Sequence, residues 1–416
     1  AAPTSVNDAR RRVLEQCRAR AADSPGLFTL TVPTGGGKTL AAMSFALEHA
    51  VRHGLDRVIV AVPYTAIIEQ NANVYRAVFG DDAVLEHTSN VEPDHETYAH
   101  KLASENWDAP IIVTTTVQLF ESLHARRTSK CRKLHRLARS VLVLDEAQTL
   151  PPILLPTILD MLARLARDYG ATVVSCTATQ PALARTDRFT PGLEGMREIV
   201  EAPEVLFEQL RRVDVELPAP RGPAIEWPTL AATLAREPDV LAIVHRRADA
   251  RALTQALDTE LGSDGLTTHL SALQCPEHRT QIVADVKSRK QRGEAVRVVS
   301  TQLVEAGVDL DFAVVYRAMA GLDALAQAAG RCNREGRRAR GRFVVFLAPT
   351  SPPPGVITQA LEAVRRLLLA DPEVDVLSPA AQRRFFELLY EHVDVRSDPS
   401  GILANRRALE FEATAA

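Results

Sequence analysis

Short apolar runs without polar alternation recur along the first half of the chain, separated by stretches of helical periodicity. Strands buried on both faces have this composition, and their alternation with helices is typical of a parallel sheet. The predicted strands of this first series are Phe28–Val32, Arg57–Val62, Pro110–Thr114, Val141–Leu144 and Ala171–Cys176. The pattern predicts an α/β domain over residues 1–205.

A second series of the same kind follows a polar, proline-bearing stretch at residues 217–223. Its predicted strands are Val240–Val244, Thr267–Leu270, Ala295–Ser300, Phe312–Tyr316 and Arg342–Leu347. Another proline-rich stretch, residues 348–355, precedes a helical pattern without an obvious core of its own. We therefore predict two tandem α/β domains with doubly wound parallel sheets, residues 1–205 and 206–350, and a short helical extension at residues 351–416.

Composition narrows the class of protein. A chain of 416 residues exceeds one ordinary core, and 46% hydrophobic with 24% charged residues is typical of globular proteins. The net charge of −3 gives no general attraction for nucleic acid, so any such surface is local. The five cysteines form no Cys-x-x-Cys pair, which favours free thiols in a reducing cytoplasm. Because the sequence has neither a long apolar run nor a signal-peptide core, it predicts no membrane association and no export.

The strongest local motif lies between the first predicted strand and an alanine-rich helical pattern. It is Thr34-Gly35-Gly36-Gly37-Lys38-Thr39. Glycines let backbone N–H groups approach phosphate oxygens, Lys38 brings a point charge to the β- and γ-phosphates, and Thr39 brings a hydroxyl to Mg²⁺. The full P-loop pattern has glycine where Val32 stands, so a glycine turn with an unrelated Lys-Thr pair is the alternative. The flanking strand and helix favour a nucleoside triphosphate site.

Two carboxylates end the fourth predicted strand, in Asp145-Glu146-Ala147-Gln148. Open parallel sheets bind ligands at the carboxyl ends of their strands. Asp145 can hold Mg²⁺, and Glu146 can orient and deprotonate the water that attacks the γ-phosphate. Gln148 can couple the nucleotide to a neighbouring loop. Alone, the pair is equally compatible with a solvated strand end or a helix cap, but with the Lys38 loop it predicts a hydrolytic site.

Small hydroxyl residues end the fifth predicted strand. Thr177 and Thr179 can sense the geometry of carboxylate and phosphate and transmit it, although an ST-turn is the plainer alternative. In the second series, Gly307 and Asp309 suit a loop that contacts a nucleic-acid backbone and a ribose.

An arginine motif follows in the second series. It is Gln327-Ala328-Ala329-Gly330-Arg331-Cys332-Asn333-Arg334. We predict that Arg331 and Arg334 lie on one helix face and clamp the charge that develops on the γ-phosphate, with Gln327 as a coupling residue. A solvated arginine-rich helix is the alternative.

The order of these motifs resembles superfamily 2 helicases, and several passages resemble the CRISPR-associated helicase–nuclease of type I systems. The resemblance covers nearly the whole chain, up to about Tyr390. Besides the Lys38 loop, the passages are Val62-Pro63-Tyr64-Thr65-Ala66-Ile67-Ile68-Glu69-Gln70, Ser300-Thr301-Gln302-Leu303-Val304-Glu305-Ala306-Gly307-Val308-Asp309 and Gly330-Arg331-Cys332-Asn333-Arg334-Glu335-Gly336.

The resemblance implies two RecA-like domains with ATP and Mg²⁺ in the cleft between them, and single-stranded DNA across both. It assigns Arg331 and Arg334 as arginine fingers, and it brings Asn7 and Arg10 to the adenine. The DNA contacts that it implies are Pro63, Thr65, Thr115, Thr116, Gln118, His245 and Thr301. It further implies translocation 3′ to 5′ on the strand displaced by a type I CRISPR surveillance complex with its guide RNA.

Two departures from that family matter for function. The nuclease module of the family carries a His-Asp metal dyad, and no adjacent His-Asp pair occurs in this sequence. Asp94-His95, in a polar stretch, is better explained as surface. We therefore expect no DNA cleavage by this chain, with the His-Asp nuclease domain supplied in cis by a longer native product or by a separate protein. Residues 377–386 resemble the start of an accessory region, which predicts truncation.

Several alternatives stay open at this point. The basic residues between Arg126 and Arg139, and those from Arg337 to Arg342, could hold a phosphate backbone or could be solvated surface. Another superfamily 2 ATPase, acting on RNA or remodelling complexes, is one rival. A docking core without motor activity is another. A P-loop kinase or transporter ATPase is disfavoured, because neither needs the Gly307 and Arg331 motifs.

Overall fold

The structure is a computed structural model that describes residues 5–88, 104–125, 127–187, 189–262, 267–305, 307–393, 398 and 401–414. The chain divides into two compact units. Unit 1 is Ala1–Leu210 with Tyr390–Ala416, and unit 2 is Arg211–Leu389.

Unit 1 contains a seven-stranded sheet in which all the paired strands are parallel. The strands are β1 (Leu27–Thr31), β2 (Arg57–Val62), β3 (Val84–His87), β4 (Ile111–Thr115), β5 (Ser140–Asp145), β6 (Thr172–Thr177) and β7 (Arg197–Glu198). Their order across the sheet is β3-β4-β2-β5-β6-β1-β7. The central strands are buried along nearly their whole length, as the unalternated apolar runs predict.

The helices of unit 1 connect these strands. They are α1 (Ser5–Arg20), α2 (Lys38–His53), α3 (Thr65–Phe79), α4 (Thr116–His124), α5 (Thr128–Cys131), α6 (Leu155–Asp168) and α7 (Pro203–Gln209). A buried histidine joins three of the elements: His49 of α2 contacts the Ala21 carbonyl oxygen after α1 through Nδ1 (3.0 Å) and the Thr172 hydroxyl of β6 through Nε2 (2.9 Å). Its ring stacks on Phe45. These contacts fix α1 and α2 against the sheet.

Unit 2 contains a six-stranded sheet, again parallel throughout its pairings. Its strands are β8 (Val213–Glu216), β9 (Asp239–Ile243), β10 (Thr267–Leu270), β11 (Val296–Ser300), β12 (Val314–Ala318) and β13 (Gly341–Phe346). Their order is β10-β11-β9-β12-β13-β8. The helices of this unit are α8 (Trp227–Leu234), α9 (Arg247–Leu261), α10 (Pro276–Gln291), α11 (Leu322–Ala329), α12 (Val356–Ala370) and most of α13 (Pro379–Val393). The prediction of two parallel-sheet α/β domains is confirmed.

The predicted extension is helical, and its contacts divide between the units. Gln382 of α13 donates its amide to the Leu322 carbonyl oxygen (3.1 Å), within unit 2. Beyond it lie α14 (Ile402–Arg407) and α15 (Phe411–Thr414), and Arg406 forms an ion pair with Asp160 of α6, within unit 1. No helix in the described part of the chain is both long and apolar enough to cross a bilayer.

His49 predicts a pH dependence of stability. Burial lowers the pKa of His49 from 6.5 to about 4 in the folded chain. Between these values the unfolded chain binds a proton that the folded chain does not, so stability falls as the pH drops from 6.5 towards 4. We expect wild-type protein to lose more unfolding free energy between pH 7 and pH 5 than His49→Gln does, measured by urea denaturation. The exposed His135→Gln variant should match wild type, and equal losses in all three would contradict this role of His49.

Candidate nucleotide-binding site

The loop between β1 and α2 forms a cradle that only glycine fits. Gly37, the residue before α2, has φ 86°, in the left-handed region. A Cβ on Gly36 would lie 2.5 Å from Val32 Cγ1 and 3.0 Å from the Pro33 carbonyl oxygen. Because the cradle ends at the N-terminus of a 16-residue helix, the helix dipole and the first N–H groups of that helix, which lie outside its internal hydrogen bonds, favour an anion such as a phosphate.

Lys38, the first residue of α2, lies between the two carboxylates that follow β5. Its Nζ is 3.1 Å from Asp145 Oδ1 and 2.5 Å from Glu146 Oε1. Burial alone would lower the pKa of Lys38, but the two carboxylates raise it above its ordinary value, so the ammonium stays charged. Glu146 has φ 51°, an uncommon conformation for a residue other than glycine. Such local strain is typical of functional sites.

The donor set fits Mg²⁺ shared with phosphates. Asp145 supplies a buried carboxylate, and Thr39, the second residue of α2, supplies a hydroxyl. Mg²⁺ is usually held by one or two carboxylates together with substrate phosphates rather than by a protein cage. Among the described residues, no group of three or more His, Cys, Asp or Glu side chains could hold a metal. Thr34, within the cradle, is half-buried.

A chain of hydrogen bonds leads from the carboxylates to the end of β6. Gln148 donates its amide to Glu146 Oε2 (2.6 Å), and its own oxygen accepts from the Thr177 hydroxyl (2.5 Å). The Thr179 amide donates in turn to the Thr177 hydroxyl (2.9 Å). The structure thus brings together three of the residues for which the sequence predicts coupling, Gln148, Thr177 and Thr179, whereas Gln327 lies in unit 2. The coupling role itself stays a prediction.

Arg10 of α1 contacts the glycine loop directly. Its Nε donates to the Gly35 carbonyl oxygen (2.9 Å), and its Nη1 donates to Asn7 Oδ1 (3.4 Å). The two residues that the resemblance brings to the adenine therefore lie together beside the phosphate cradle. Contact with the base stays a prediction.

Glu198 of β7 is a site residue that the sequence analysis missed. Its carboxylate accepts hydrogen bonds from the hydroxyls of Thr29 (2.8 Å) and Thr31 (2.6 Å) and from the Thr31 amide (3.1 Å). Glu198 thereby fixes the end of β1, from which the cradle starts. The available signal was the pair of hydroxyls on one face of a buried strand, since buried hydroxyls need acceptors.

The nucleic-acid candidates of unit 1 lie at the ends of two neighbouring strands. Pro63 follows β2, Thr65 begins α3, and Thr115 ends β4, where it is in register with Val62 of β2. Helix α4 begins at Thr116. The Thr115 hydroxyl caps this helix by accepting a 3.0 Å hydrogen bond from the backbone N–H of Gln118.

In unit 2, the candidates surround the loop after β11. His245 follows β9, and its Nε2 contacts the Met319 carbonyl oxygen (3.0 Å). Burial lowers the pKa of His245 to about 4, so this ring is neutral near pH 7. Thr301 directly follows β11, Gly307 lies in the same loop, and Gln327 is half-buried on α11.

The prediction that Arg331 and Arg334 lie on a helix face is wrong. Helix α11 ends at Ala329, and the chain then returns to the sheet edge, where the Phe312 amide donates to the Arg331 carbonyl oxygen (2.9 Å). This bridge competes with continued helix. The solvated-helix alternative fails as well, because Arg331 is buried and Arg334 forms a 3.0 Å ion pair with Asp309.

The two basic groups are largely paired with nearby acids or carbonyls. In the first group, Lys130, Arg132 and Arg136 form ion pairs with acidic neighbours, and Lys133 lies over the Trp107 ring. In the second, Arg342 pairs with Glu216 and Glu237 and Arg338 with Asp239. This pairing favours the surface interpretation. Arg126 and Asp94-His95 lie outside the described residues.

Comparison with known proteins places this arrangement in a class. The family model "DEAD/DEAH box helicase" matches residues 15–186, which contain the cradle, the carboxylates and Thr177. The first parallel-sheet unit, with its phosphate cradle and carboxylate pair, is thus similar to a DEAD/DEAH box helicase domain. The family model "CRISPR-associated nuclease/helicase Cas3, C-terminal" matches residues 236–337.

Curated relatives and solved structures agree with these models. Cas3 nuclease/helicases of Haloferax volcanii and Methanothermobacter thermautotrophicus are 28% and 24% identical over 78% and 74% of this chain, but over only 46% and 38% of their own lengths. The ATP-bound T. fusca Cas3 structure has the same fold, with TM-score 0.69 and 20% identity over 99% of this chain and 55% of that chain. A CRISPR RNA-guided surveillance complex component matches with TM-score 0.60 and 20% identity over 95% of this chain and 52% of that chain. The family models and the curated relatives support a similarity to the helicase core of Cas3 proteins, and the solved structures support the fold.

Removal of the Lys38 charge tests the nucleotide site. We expect Lys38→Ala to weaken binding of a fluorescent ATP analogue with Mg²⁺ by about 10- to 100-fold, since hydrogen bonds to charged groups contribute about 1.5–3 kcal/mol. The matched control is Lys130→Ala, which removes an exposed lysine of the same unit. Equal affinity in both variants would mean that the nucleotide is held elsewhere.

Proposed function

We propose that this chain is the ATP-driven motor part of a CRISPR-associated nuclease/helicase, which moves 3′ to 5′ along single-stranded DNA. The observation that carries the proposal is the position of Lys38, bonded to both carboxylates of the Asp145-Glu146 pair beneath the glycine cradle. The similarity to Cas3 nuclease/helicases supports a role for this motor in a CRISPR system.

The contacts of Lys38 and Gln148 with Glu146 suggest how nucleotide binding would prepare hydrolysis. The phosphates of ATP compete with Glu146 for the Lys38 ammonium, which releases one carboxylate oxygen of Glu146. The other oxygen stays bonded to Gln148, so the freed oxygen is oriented to accept a proton from the attacking water. Asp145 and Thr39 would hold Mg²⁺, which would neutralise charge on the phosphates.

We propose that unit 2 contributes positive charge to the γ-phosphate through Arg331 and Arg334, with Gly307 and Asp309 beside the nucleotide. Arginine suits this role because its planar fork binds phosphate in a bidentate manner. The ion pair of Arg334 with Asp309 holds that side chain ready near the predicted nucleotide contacts. Turnover would then depend on both units, and Gln327 would help to couple them.

The DNA contacts would be made mainly to phosphates. The candidates Pro63, Thr65 and Thr115 come from the ends of adjacent strands and carry no charge. His245 is neutral near pH 7, and Thr301 offers a hydroxyl. Hydroxyls and amides hold a backbone without selecting bases, as a translocating enzyme requires.

We further propose that the partner is a guide-RNA-bearing type I surveillance complex, with DNA cleavage left to a His-Asp nuclease domain in the same native polypeptide or in another protein. The absence of an adjacent His-Asp pair from the sequence supports a chain without its own cleavage activity. The structural similarity to a component of such a complex supports the partner. The five free cysteines fit a reducing cytoplasm.

The direct test is ATP hydrolysis by the chain alone, with single-stranded DNA, with single-stranded RNA and without nucleic acid. We expect stimulation by DNA of at least tenfold, absent in Glu146→Gln, which lacks the base. Stimulation by RNA instead would favour a different superfamily 2 enzyme. A lack of any stimulation would favour a docking core without motor activity and contradict the proposal.

The hydrogen-bond chain predicts a separation of binding from turnover. Gln148→Ala removes the bridge between Glu146 and Thr177, so we expect the stimulated kcat to fall about tenfold while nucleotide affinity stays within about twofold. Thr177→Val, which deletes the other end of the bridge in a similar volume, should behave alike. A fall in nucleotide affinity as large as the fall in kcat would show that the bridge serves binding instead.

A further inference from the structure

A buried ion pair joins the loop after β11 to β12 in unit 2. The Nε of Arg317 on β12 is 2.7 Å from Oε1 of Glu305, and the side chains are 1% and 6% exposed. Neither residue has a role in the mechanism above. Resting on the proposed function, we propose that Glu305 and Arg317 are positioning residues that link the DNA-facing end of this loop to Arg331.

The loop after β11 carries a predicted nucleic-acid contact at its start and predicted nucleotide contacts at its far end. At its start are Thr301 and Gln302, and the Gln302 side-chain amide contacts His245 Nδ1 (3.5 Å). At its far end are Gly307 and Asp309, and Asp309 pairs with Arg334. Glu305 therefore lies between the nucleic-acid candidates and the nucleotide candidates.

Glu305 contacts one arginine through its side chain and another through its backbone. Its carboxylate pairs with Arg317, whereas its backbone carbonyl oxygen accepts a 2.6 Å hydrogen bond from Nη2 of Arg331. The position of the Arg331 guanidinium thus follows the backbone at Glu305. That backbone is in turn held to β12 by the Glu305–Arg317 pair, so displacement of the loop by DNA would move Arg331.

The electrostatic cost of the pair argues for a role beyond stability. Burial raises the pKa of Glu305 to about 7 even though Arg317 opposes the change. Arg317 also acts electrostatically on His245, whose pKa burial lowers, and on the buried Asp323. Apolar residues of similar volume usually replace a buried ion pair without loss of stability. The pair instead fixes the geometry of the loop.

The experiment separates positioning from stability. Single variants Glu305→Leu and Arg317→Met leave one buried charge unpaired and are expected to be less stable. The double variant Glu305→Leu/Arg317→Met removes both charges. We expect it to recover the melting temperature and the ATP affinity of wild type, and to keep basal hydrolysis, while DNA stimulation of kcat falls about tenfold.

A more exposed ion pair of unit 2 is the control. Glu237 and Arg342 form a 3.0 Å ion pair near the amino ends of β9 and β13, and Glu237→Leu/Arg342→Met should retain full DNA stimulation. Arg317→Lys keeps the charge and should retain stimulation within about threefold, whereas Arg317→Met should lose it. This comparison decides the question even if the Glu305→Leu/Arg317→Met variant does not fold.

Three outcomes would overturn the inference. Wild-type stimulation in the Glu305→Leu/Arg317→Met variant would make the pair purely structural, and an equal loss in Arg317→Lys and Arg317→Met would exclude the ion pair as the cause. Either result leaves the proposed function intact. By contrast, wild-type protein without DNA stimulation would overturn the proposed function and this inference together.

Discussion

The candidate site depends on one lysine ammonium held between two carboxylates. Lys38 begins α2, and Asp145 and Glu146 end β5, so the contact joins segments that are distant in sequence. Unpaired charges would be costly at this depth, and each group therefore requires the others. In the proposed function, a bound nucleotide with Mg²⁺ would satisfy the same charges in a different way, so that Lys38 would exchange one set of partners for another.

The strand order places the carboxylates of β5 next to the end of β6 and the start of the glycine cradle. Strands β5, β6 and β1 are adjacent, so the carboxylates, Thr177 and the glycine cradle lie side by side at the carboxyl edge of the sheet. Gln148 can then bridge Glu146 and Thr177 with two short hydrogen bonds. In unit 2, Glu305 in the loop after β11 contacts Arg317 through its carboxylate and Arg331 through its backbone carbonyl oxygen.

Much of this could be predicted from the sequence. Buried parallel strands have unalternated apolar runs, so the central strands were predictable, and a glycine loop with Lys-Thr and a strand ending in Asp-Glu specify their own chemistry. The short strands β3, β7 and β8 lack such runs and owe their formation to pairing with a neighbour. Glu198 lies on β7, and its role in holding β1 depends on hydrogen bonds from the threonines of that neighbouring strand.

The arginine motif shows where local pattern fails. Spacing predicts a helix through Arg331, but a bridge from Phe312 ends the helix at Ala329, and that partner is remote in sequence. Burial of Arg331 and its bond to the Glu305 carbonyl oxygen are tertiary facts of the same kind. Side-chain chemistry is therefore predictable from sequence motifs, whereas the partner of each side chain depends on the assembled sheet.

The most direct test of the account is whether nucleotide at the Lys38 site changes affinity for single-stranded DNA. Fluorescence anisotropy would give the Kd for a labelled oligonucleotide without nucleotide, with ADP and with a non-hydrolysable ATP analogue. If nucleotide binding at Lys38 controls the grip on DNA, the Kd differs between these states by at least about fivefold, and Lys38→Ala abolishes the difference. One Kd in all three states of the wild-type chain would contradict it.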